Sequence, residues 1–512
     1  MVTDPSAVRS ASKRDADRPV EVDGRRMTIA DVEAVARQGR TARLARSALP
    51  GVEASRAIVS RIVADDRPAY GITTGFGALS DQAISVARTK ALQANLLRSH
   101  ASGAGDPLPT GVVRAAMLLR ANSLARGHSG VRPVVIERLL DLLNAGITPV
   151  VPCQGSLGAS GDLAPLAHLS LPLISAGTVE VDGHRREAAQ AMGAVGIEPI
   201  ELEPKEALAL INGTQVMTAL GLLALLDAER LLESAVVIAA LSCCALAARR
   251  APFDPRIHEV RPHPGQVAVA ATLRELLSES PEPEPLSKRL QDAYSIRCIP
   301  QVYGGITDAL AGPRRAVEIE INAATDNPLL FDDGSVISGG NFHGHPLALG
   351  FDAAKIAVAS LGAIVERRIA LMVDGEVRGL PPCLVPDAGL NSGYMIAHYL
   401  TAGLVAENRV LAHPSSVDSI PTSAGVEDYN SMGATAARHF RQIVTNVEMV
   451  VAVEAICAAQ ACDLASRVPT GRLGRLHRRI RERVPSLQSD DRVVADDVAT
   501  SVDLLRAGTY RE

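Results

Sequence analysis

A chain of 512 residues is long enough for about three ordinary domains, although long helical folds carry more residues in each. Hydrophobic residues make up 47% but aromatic ones only 3%, with no Trp, so the core has to be built from Ala, Leu, Val and Ile, which favours close helix packing. The net charge of −5 is small for this length and argues against nucleic acid as the main partner.

In chain order, residues 1–18 are charged and lack the apolar stretch of a secretory leader, so they read as a mobile N-terminal tail. Val20-Glu-Val-Asp-Gly24 and Val179-Glu-Val-Asp-Gly183 each read as a small hairpin turning at Asp-Gly. Thr28 is placed to cap a helix running to about Gln38. Gln215 to Arg250, broken only by Gly221, is apolar on most faces and predicts a buried central helix. Within it the uncharged run Ser234–Ala248 falls short of the ~20 residues that a membrane span needs, so no membrane is expected as a partner. Pro281-Glu-Pro-Glu-Pro285 is the clearest loop. Val358, Leu361, Val365, Ile369 and Met372 recur at three- and four-residue steps, one apolar stripe that ends near Asp374-Gly375. Ala434 to Val468 contains neither Gly nor Pro and, wholly helical, would span about 50 Å at ~1.5 Å per residue.

The fold class is therefore mainly α: a long central helical bundle with a small N-terminal α/β portion. Four segments are expected: the tail (1–18), an N-terminal region (19–210), the long-helix bundle (211–468) and a C-terminal helical segment (469–512). Helices this apolar and this long imply burial against other subunits as well. The seven cysteines (Cys153, Cys243, Cys244, Cys298, Cys383, Cys457 and Cys462) form no C-x-x-C pair, and an odd count suits no disulfide framework; a cytoplasmic location is expected. Cys and His show no ligand spacing of the usual zinc kind, so no metal site is assigned.

The string Gly155-Ser-Leu-Gly-Ala-Ser-Gly-Asp-Leu-Ala-Pro165 is the most informative part of the chain. Gly161 has an unhindered backbone nitrogen, and Ala159 offers a carbonyl carbon with only a methyl nearby. Attack of that nitrogen on that carbonyl, with loss of water, closes a five-membered imidazolone. Loss of the Ser160 hydroxyl then leaves an exocyclic methylidene, an electrophile made without an external cofactor. A hydrolase nucleophile elbow is excluded, because it needs G-x-S-x-G and Asp162 stands where the last Gly belongs. Asp162, with Pro165 following, reads as the cap of the next helix, which would direct a positive helix end at the ring.

The whole string resembles the signature of the aromatic amino-acid ammonia-lyase family, whose members build 4-methylidene-imidazole-5-one (MIO) from Ala-Ser-Gly; Ala159, Ser160 and Gly161 are the matching residues. Ammonia elimination also needs a base for the β-proton and a cation for the carboxylate. Tyr70, in Ala69-Tyr-Gly-Ile-Thr-Thr-Gly-Phe-Gly77, resembles the family's tyrosine loop and is the candidate base. Arg297, in Gln291-Asp-Ala-Tyr-Ser-Ile-Arg-Cys-Ile-Pro-Gln301, resembles the carboxylate clamp; Gln291 and Tyr294 belong to the same motif, and Ala293 stands where Pro is common. Asn212, in Ile211-Asn-Gly-Thr-Gln215, matches a motif whose Asn bonds the ring oxygen or the substrate. Phe342, in Ser338-Gly-Gly-Asn-Phe-His343, matches a site-lining position.

Substrate choice rests on Ser99-His100 and on Glu427, which is counted with the catalytic set. Both positions resemble the members of the family that act on histidine, where phenylalanine and tyrosine enzymes carry Phe-Leu or His-Leu and Gln. The resemblance therefore implies conversion of L-histidine to trans-urocanate and ammonia by a homotetramer with shared active sites and no external cofactor. Gly425-Val426, Tyr429 and Pro382-Cys383 depart from the usual pattern and leave a tyrosine or phenylalanine lyase, or an aromatic 2,3-aminomutase, as the alternative. A helical lyase of the fumarase type lacks the Ala-Ser-Gly string. A non-catalytic scaffold would have lost Ser160, Tyr70 or Arg297, and all three are present.

Overall fold

The computed structural model describes residues 18–75, 77, 82, 84–85, 88–282, 290–375 and 379–511. The expected tail, apart from Arg18, and residues 283–285 of the proline-rich loop lie outside the described residues, as does Phe76 of the Tyr70 segment. The chain is mainly helical, with a few short strands, as its composition requires. It divides into two compact units, one of residues to Leu223 with Arg315–Leu349 and Ser415–Ala437, the other of Ala224–Arg314, Gly350–Pro414 and Arg438 onward.

The first unit opens with β1 (Val20–Val22), α1 (Ile29–Gln38) and β2 (Ala42–Leu44). Strands β1 and β2 pair in parallel, with Val20 opposite Ala42 and Val22 opposite Leu44. The hairpin expected at Val20–Gly24 is thus corrected. Asp23 accepts from the backbone N–H of Arg25 and Arg26, and Gly24 N donates to Asn122 Oδ1 at 2.9 Å. These bonds carry the chain onward into α1 instead of folding it back. Thr28 caps α1 in a capping box, its hydroxyl accepting from Asp31 N while the Asp31 carboxylate accepts from Thr28 N. The second Asp-Gly segment is a hairpin as expected, with β3 (Thr178–Val181) antiparallel to β4 (His184–Glu187) and reached after α2 (Thr89–His100), α3 (Thr110–Ala125) and α4 (Ala164–Ser170).

Helix α3 is buried along nearly its whole length and packs on α1. A separate apolar cluster of Ile58, Val59, Ile62, Ile72 and Leu330 fixes the chain immediately after Tyr70, since Ile72 is fully buried within it. Next come α5 (Glu206–Ile211) and the 31-residue helix α6 (Gln215–Ala245).

The second unit is built from long helices. It holds α7 (Tyr294–Arg297) and most of α6, α8 (Ile299–Glu320), α9 (His345–Val373) and α11 (Gly433–Leu464), with α10 (Met395–Leu411), α12 (Gly471–Arg483) and α13 (Val494–Arg506). All five residues of the α9 stripe are buried. Phe351 and Phe440 stack at 6.3 Å, and Ser501 of α13 donates to the Ala452 carbonyl of α11. By length and composition α9 is apolar enough to cross a membrane, but it buries Asp352, Lys355, Glu366 and Arg368, the pattern of a core helix. Replacing Thr28 by Ala removes the capping box of α1 and should cost roughly 1 kcal/mol in denaturant unfolding, with no change in helix content beyond that segment.

Candidate active site

The Gly155–Pro165 string forms a tight loop held by its own backbone. Ser156 Oγ accepts from Gly158 N at 3.2 Å and donates to the Gly161 carbonyl at 3.4 Å. Ser160 and Gly161 are consecutive left-handed residues, with φ of 49° and 79°. Gly161 pairs with Gly213 in a backbone bridge, and Asp162 N donates to the Gly213 carbonyl at 2.7 Å. A Cβ on Gly161 would lie 2.2 Å from the Gly213 oxygen, so the crossing requires glycine.

Asp162 does cap a helix, but a different one from that expected. Its carboxylate accepts from Val216 N at 2.6 Å and from Met217 N at 3.3 Å, in the first turn of α6. Helix α4 has Leu163 at its N-cap with no side-chain cap, although Pro165 stands in its first turn as expected. The backbone crossing at Gly161–Gly213 explains the change, because it carries Asp162 to the start of α6. Burial pushes the Asp162 carboxyl up to about 7, against the pull of the Val216 and Met217 N–H groups and Arg120.

Beside this loop is a cavity of about 490 Å³ in the first unit, lined among others by Tyr70, Ser99, His100, Ser160, Asn212 and Glu427. The Tyr70 hydroxyl accepts from Gly77 N at 3.2 Å. Glu427 Oε1 lies 3.5 Å from Ser160 Oγ, and its Oε2 accepts from Thr422 Oγ1 at 2.7 Å. His100 ends α2, with Nδ1 3.0 Å from the Leu96 carbonyl. A carbonyl can only accept, so this contact assigns a proton to Nδ1, and in the neutral ring the lone pair is then on Nε2. Burial lowers the His100 pKa, partly countered by the Leu96 carbonyl and by Glu427.

Asn212 is oriented from below. Its Nδ2 donates to Asn327 O at 3.0 Å and to Asp326 Oδ1 at 3.3 Å, while Asp326 Oδ2 accepts from Lys205 Nζ at 2.6 Å. Lys205 and Asp326 are both fully buried. Arg120, fully buried in α3, donates to Asn212 O and to Gln215 Oε1; burial lowers its pKa to about 10. Asn212 Oδ1 is buried and has no hydrogen-bond partner among the described residues. The sequence reading missed Thr422, Lys205, Asp326 and Arg120. The usable signal was a charge inside an apolar run, as at Met117-Leu-Leu-Arg120, which marks either a buried partner or a site.

Other expected site residues lie elsewhere. Phe342 is half-buried in the first unit and is not among the residues lining the cavity; the ring of the next residue, His343, stacks on Tyr429. Gln291 and Arg297 line a cavity of about 360 Å³ in the second unit, with Asp292 and Gln301. The Arg297 guanidinium lies 4.7 Å from the centre of the exposed Tyr294 ring, and its Nε is buried without a hydrogen-bond partner among the described residues. Among the described residues, no group of three or more His, Cys, Asp and Glu is placed to hold a metal ion.

A family model described as aromatic amino acid lyase matches residues 27–484. The chain is 51% identical over 490 residues to the histidine ammonia-lyase of Symbiobacterium thermophilum, covering 95% of this chain and 96% of that protein. Among solved structures, histidine ammonia-lyase from Trypanosoma cruzi is similar with TM-score 0.88 at 39% identity, covering 96% of this chain and 94% of that one. Tyrosine aminomutase from Streptomyces globisporus is similar with TM-score 0.92 at 38% identity, covering 96% and 98%.

The raised Asp162 pKa makes a signed prediction. Unfolded, the group ionises near its ordinary 3.8; folded, it holds its proton to about 7. Its contribution to stability is therefore complete below the unfolded value and is lost as pH rises through the folded one. Asp162→Asn does not titrate, so the parent's advantage in unfolding midpoint over this variant should narrow between about pH 4 and about pH 7. A difference independent of pH would contradict the assignment.

Proposed function

Because the chain belongs to the aromatic amino acid lyase family, we propose that it is an ammonia-lyase converting L-histidine to trans-urocanate and ammonia. The observation that carries the substrate is the cavity holding His100 and Glu427 beside Ser160. A neutral His100 with its lone pair on Nε2 accepts from an imidazole N–H, and the Glu427 carboxylate is a second acceptor for an N–H of the substrate.

The residues present fit an MIO group. Ala159 is buried, and two consecutive left-handed residues bend the tripeptide back on itself, the curvature that closing a ring between residues 159 and 161 needs. Gly161 already lies against Gly213, where no side chain fits, and the Ser160 hydroxyl borders the cavity. When formed, the group supplies an electrophile for the substrate amine, with no external cofactor.

The rest of the chemistry belongs to side chains. Tyr70 takes the β-proton; the electrons of the broken Cβ–H bond become the Cα–Cβ double bond, and the Cα–N bond breaks. Asn212 Oδ1, an acceptor without a partner, receives an N–H of the substrate. Arg297, with Gln291 and Tyr294 beside it, binds the carboxylate. The assembly proposed is a homotetramer whose active sites are shared between subunits. In support, α10 leaves Ile396, Tyr399 and Val410 more than 60% exposed, an apolar surface that a further subunit would cover. Seven free cysteines suit a cytoplasmic enzyme.

The test is to incubate the purified protein with histidine, phenylalanine and tyrosine and to identify each product by mass. Urocanate formed fastest is the expected result; a β-amino acid would mark an aminomutase, and faster loss of tyrosine or phenylalanine would overturn the substrate. The variant S99F/H100L leaves imidazole N–H groups unmatched and should lower histidine kcat/KM by up to ~10⁴, and Glu427→Gln should harm histidine turnover more than any residual phenylalanine turnover. Tyr70→Phe should bind substrate normally and lose most of kcat.

A further inference from the structure

The second unit buries charged pairs that the reaction does not use, and one of them reaches α7. Arg368 of α9 is fully buried in the second unit, and so is its partner Glu454 of α11. The pair is bidentate, with Nε donating to Glu454 Oε1 at 2.5 Å and Nη2 to Oε2 at 3.0 Å. Ser242 Oγ also donates to Oε1, at 2.7 Å, and Nη2 donates to the Tyr303 hydroxyl. Burial alone would lower the Arg368 pKa, but Glu454 and Tyr303 outweigh it and the net shift is upward, so the guanidinium stays charged.

Burying two charges is costly, and apolar side chains of similar volume often serve stability as well or better. What they cannot supply is a directed bond. The remaining donor, Arg368 Nη1, gives to the carbonyl of Ser295 at 3.0 Å. Ser295 lies in α7, a helix of only four residues that is too short to hold itself. Its own backbone bonds run from Ile296 and Arg297 N–H to the Ala293 carbonyl and from Cys298 N to Tyr294 O, and the Ser295 carbonyl is held by Arg368. Two residues on is Arg297, whose guanidinium rests on the exposed Tyr294 ring and whose Nε has no hydrogen-bond partner among the described residues. The direction of the Arg297 fork is thus set chiefly by the backbone of α7.

We propose that Arg368 and Glu454 are a positioning pair, holding α7 so that the Arg297 guanidinium meets the substrate carboxylate in line. This rests on the reading of Arg297 as the carboxylate clamp. Nothing in the pair touches substrate; it acts through the Ser295 carbonyl.

The experiment uses two competitive inhibitors of the intact enzyme: imidazolepropionate, which has the carboxylate and no amine, and histamine, which has the amine and no carboxylate. Arg368→Lys keeps the charge but cannot reach Glu454, Tyr303 and Ser295 together, and R368M/E454L removes the pair with volume kept. Losing a hydrogen bond to a charged group should raise Ki for imidazolepropionate by about tenfold in both variants, with Ki for histamine and the unfolding midpoint of R368M/E454L unchanged. Equal rises for both inhibitors would reduce the pair to a structural role and overturn the proposal. Arg297→Lys is the control. If it leaves imidazolepropionate binding unchanged, the clamp reading falls and the positioning role falls with it. If it weakens that binding while both pair variants bind like the parent, the clamp stands and the positioning role is wrong. Should Arg368→Lys fail to fold, R368M/E454L decides alone.

Discussion

Two glycines crossing at van der Waals distance are the constraint on which the site depends. Gly161 and Gly213 meet with no room for a side chain on either, since a Cβ on Gly213 would lie 2.4 Å from Arg120 Nη1. The crossing sets the curvature of Ala159-Ser160-Gly161 and delivers Asp162 to the first turn of α6. Asp162 in turn satisfies two N–H groups that the helix start leaves open. One contact therefore joins Ala159-Ser160-Gly161 to the end of a 31-residue helix, and the positive end of that helix lies beside the tripeptide. A loop held only by side chains would have more freedom than ring closure tolerates, because every lost degree of freedom must be offset when the ring forms.

Buried charges recur in a consistent role. Asp326, paired with Lys205, accepts from the Asn212 amide and Arg120 holds its backbone carbonyl, while the amide oxygen has no partner among the described residues. Thr422 holds Glu427 through its hydroxyl, and the two residues also exchange backbone hydrogen bonds. In the second unit Arg368 and Glu454 stand in the same relation to the Ser295 carbonyl. In each case a supporting group makes a directed bond to a segment that carries a proposed site residue. Apolar packing alone positions groups less well, because it has no preferred direction.

Much of the helical fold was legible because periodicity and capping act locally. Thr28 and Asp31, the α9 stripe and the Asp182-Gly183 turn each report on neighbours within a few residues, and the structure places all three as expected. Pairings across the chain were not legible. The parallel match of Val20–Val22 with Ala42–Leu44 passes through an intervening helix, and no local rule distinguishes Val-Glu-Val-Asp-Gly there from the same pattern at residues 179–183. The cap made by Asp162 was foreseen as chemistry and missed as geometry, since its acceptor role is local but the helix it serves begins 53 positions on. Of the candidate site, Tyr70, Ser99, His100, Ser160, Asn212 and Glu427 line one cavity, while the residues that orient Asn212 and Glu427 carry no motif of their own.

The central claim is that this fold bends Ala159-Ser160-Gly161 into an electrophile. It is tested most directly by the mass of the proteolytic peptide bearing residues 159–161, taken from fully active protein and from Ser160→Ala. The account predicts that the parent peptide weighs two water molecules less than its sequence requires, and that the variant, folded but nearly inactive, lacks the methylidene. An unmodified peptide in fully active enzyme would contradict it.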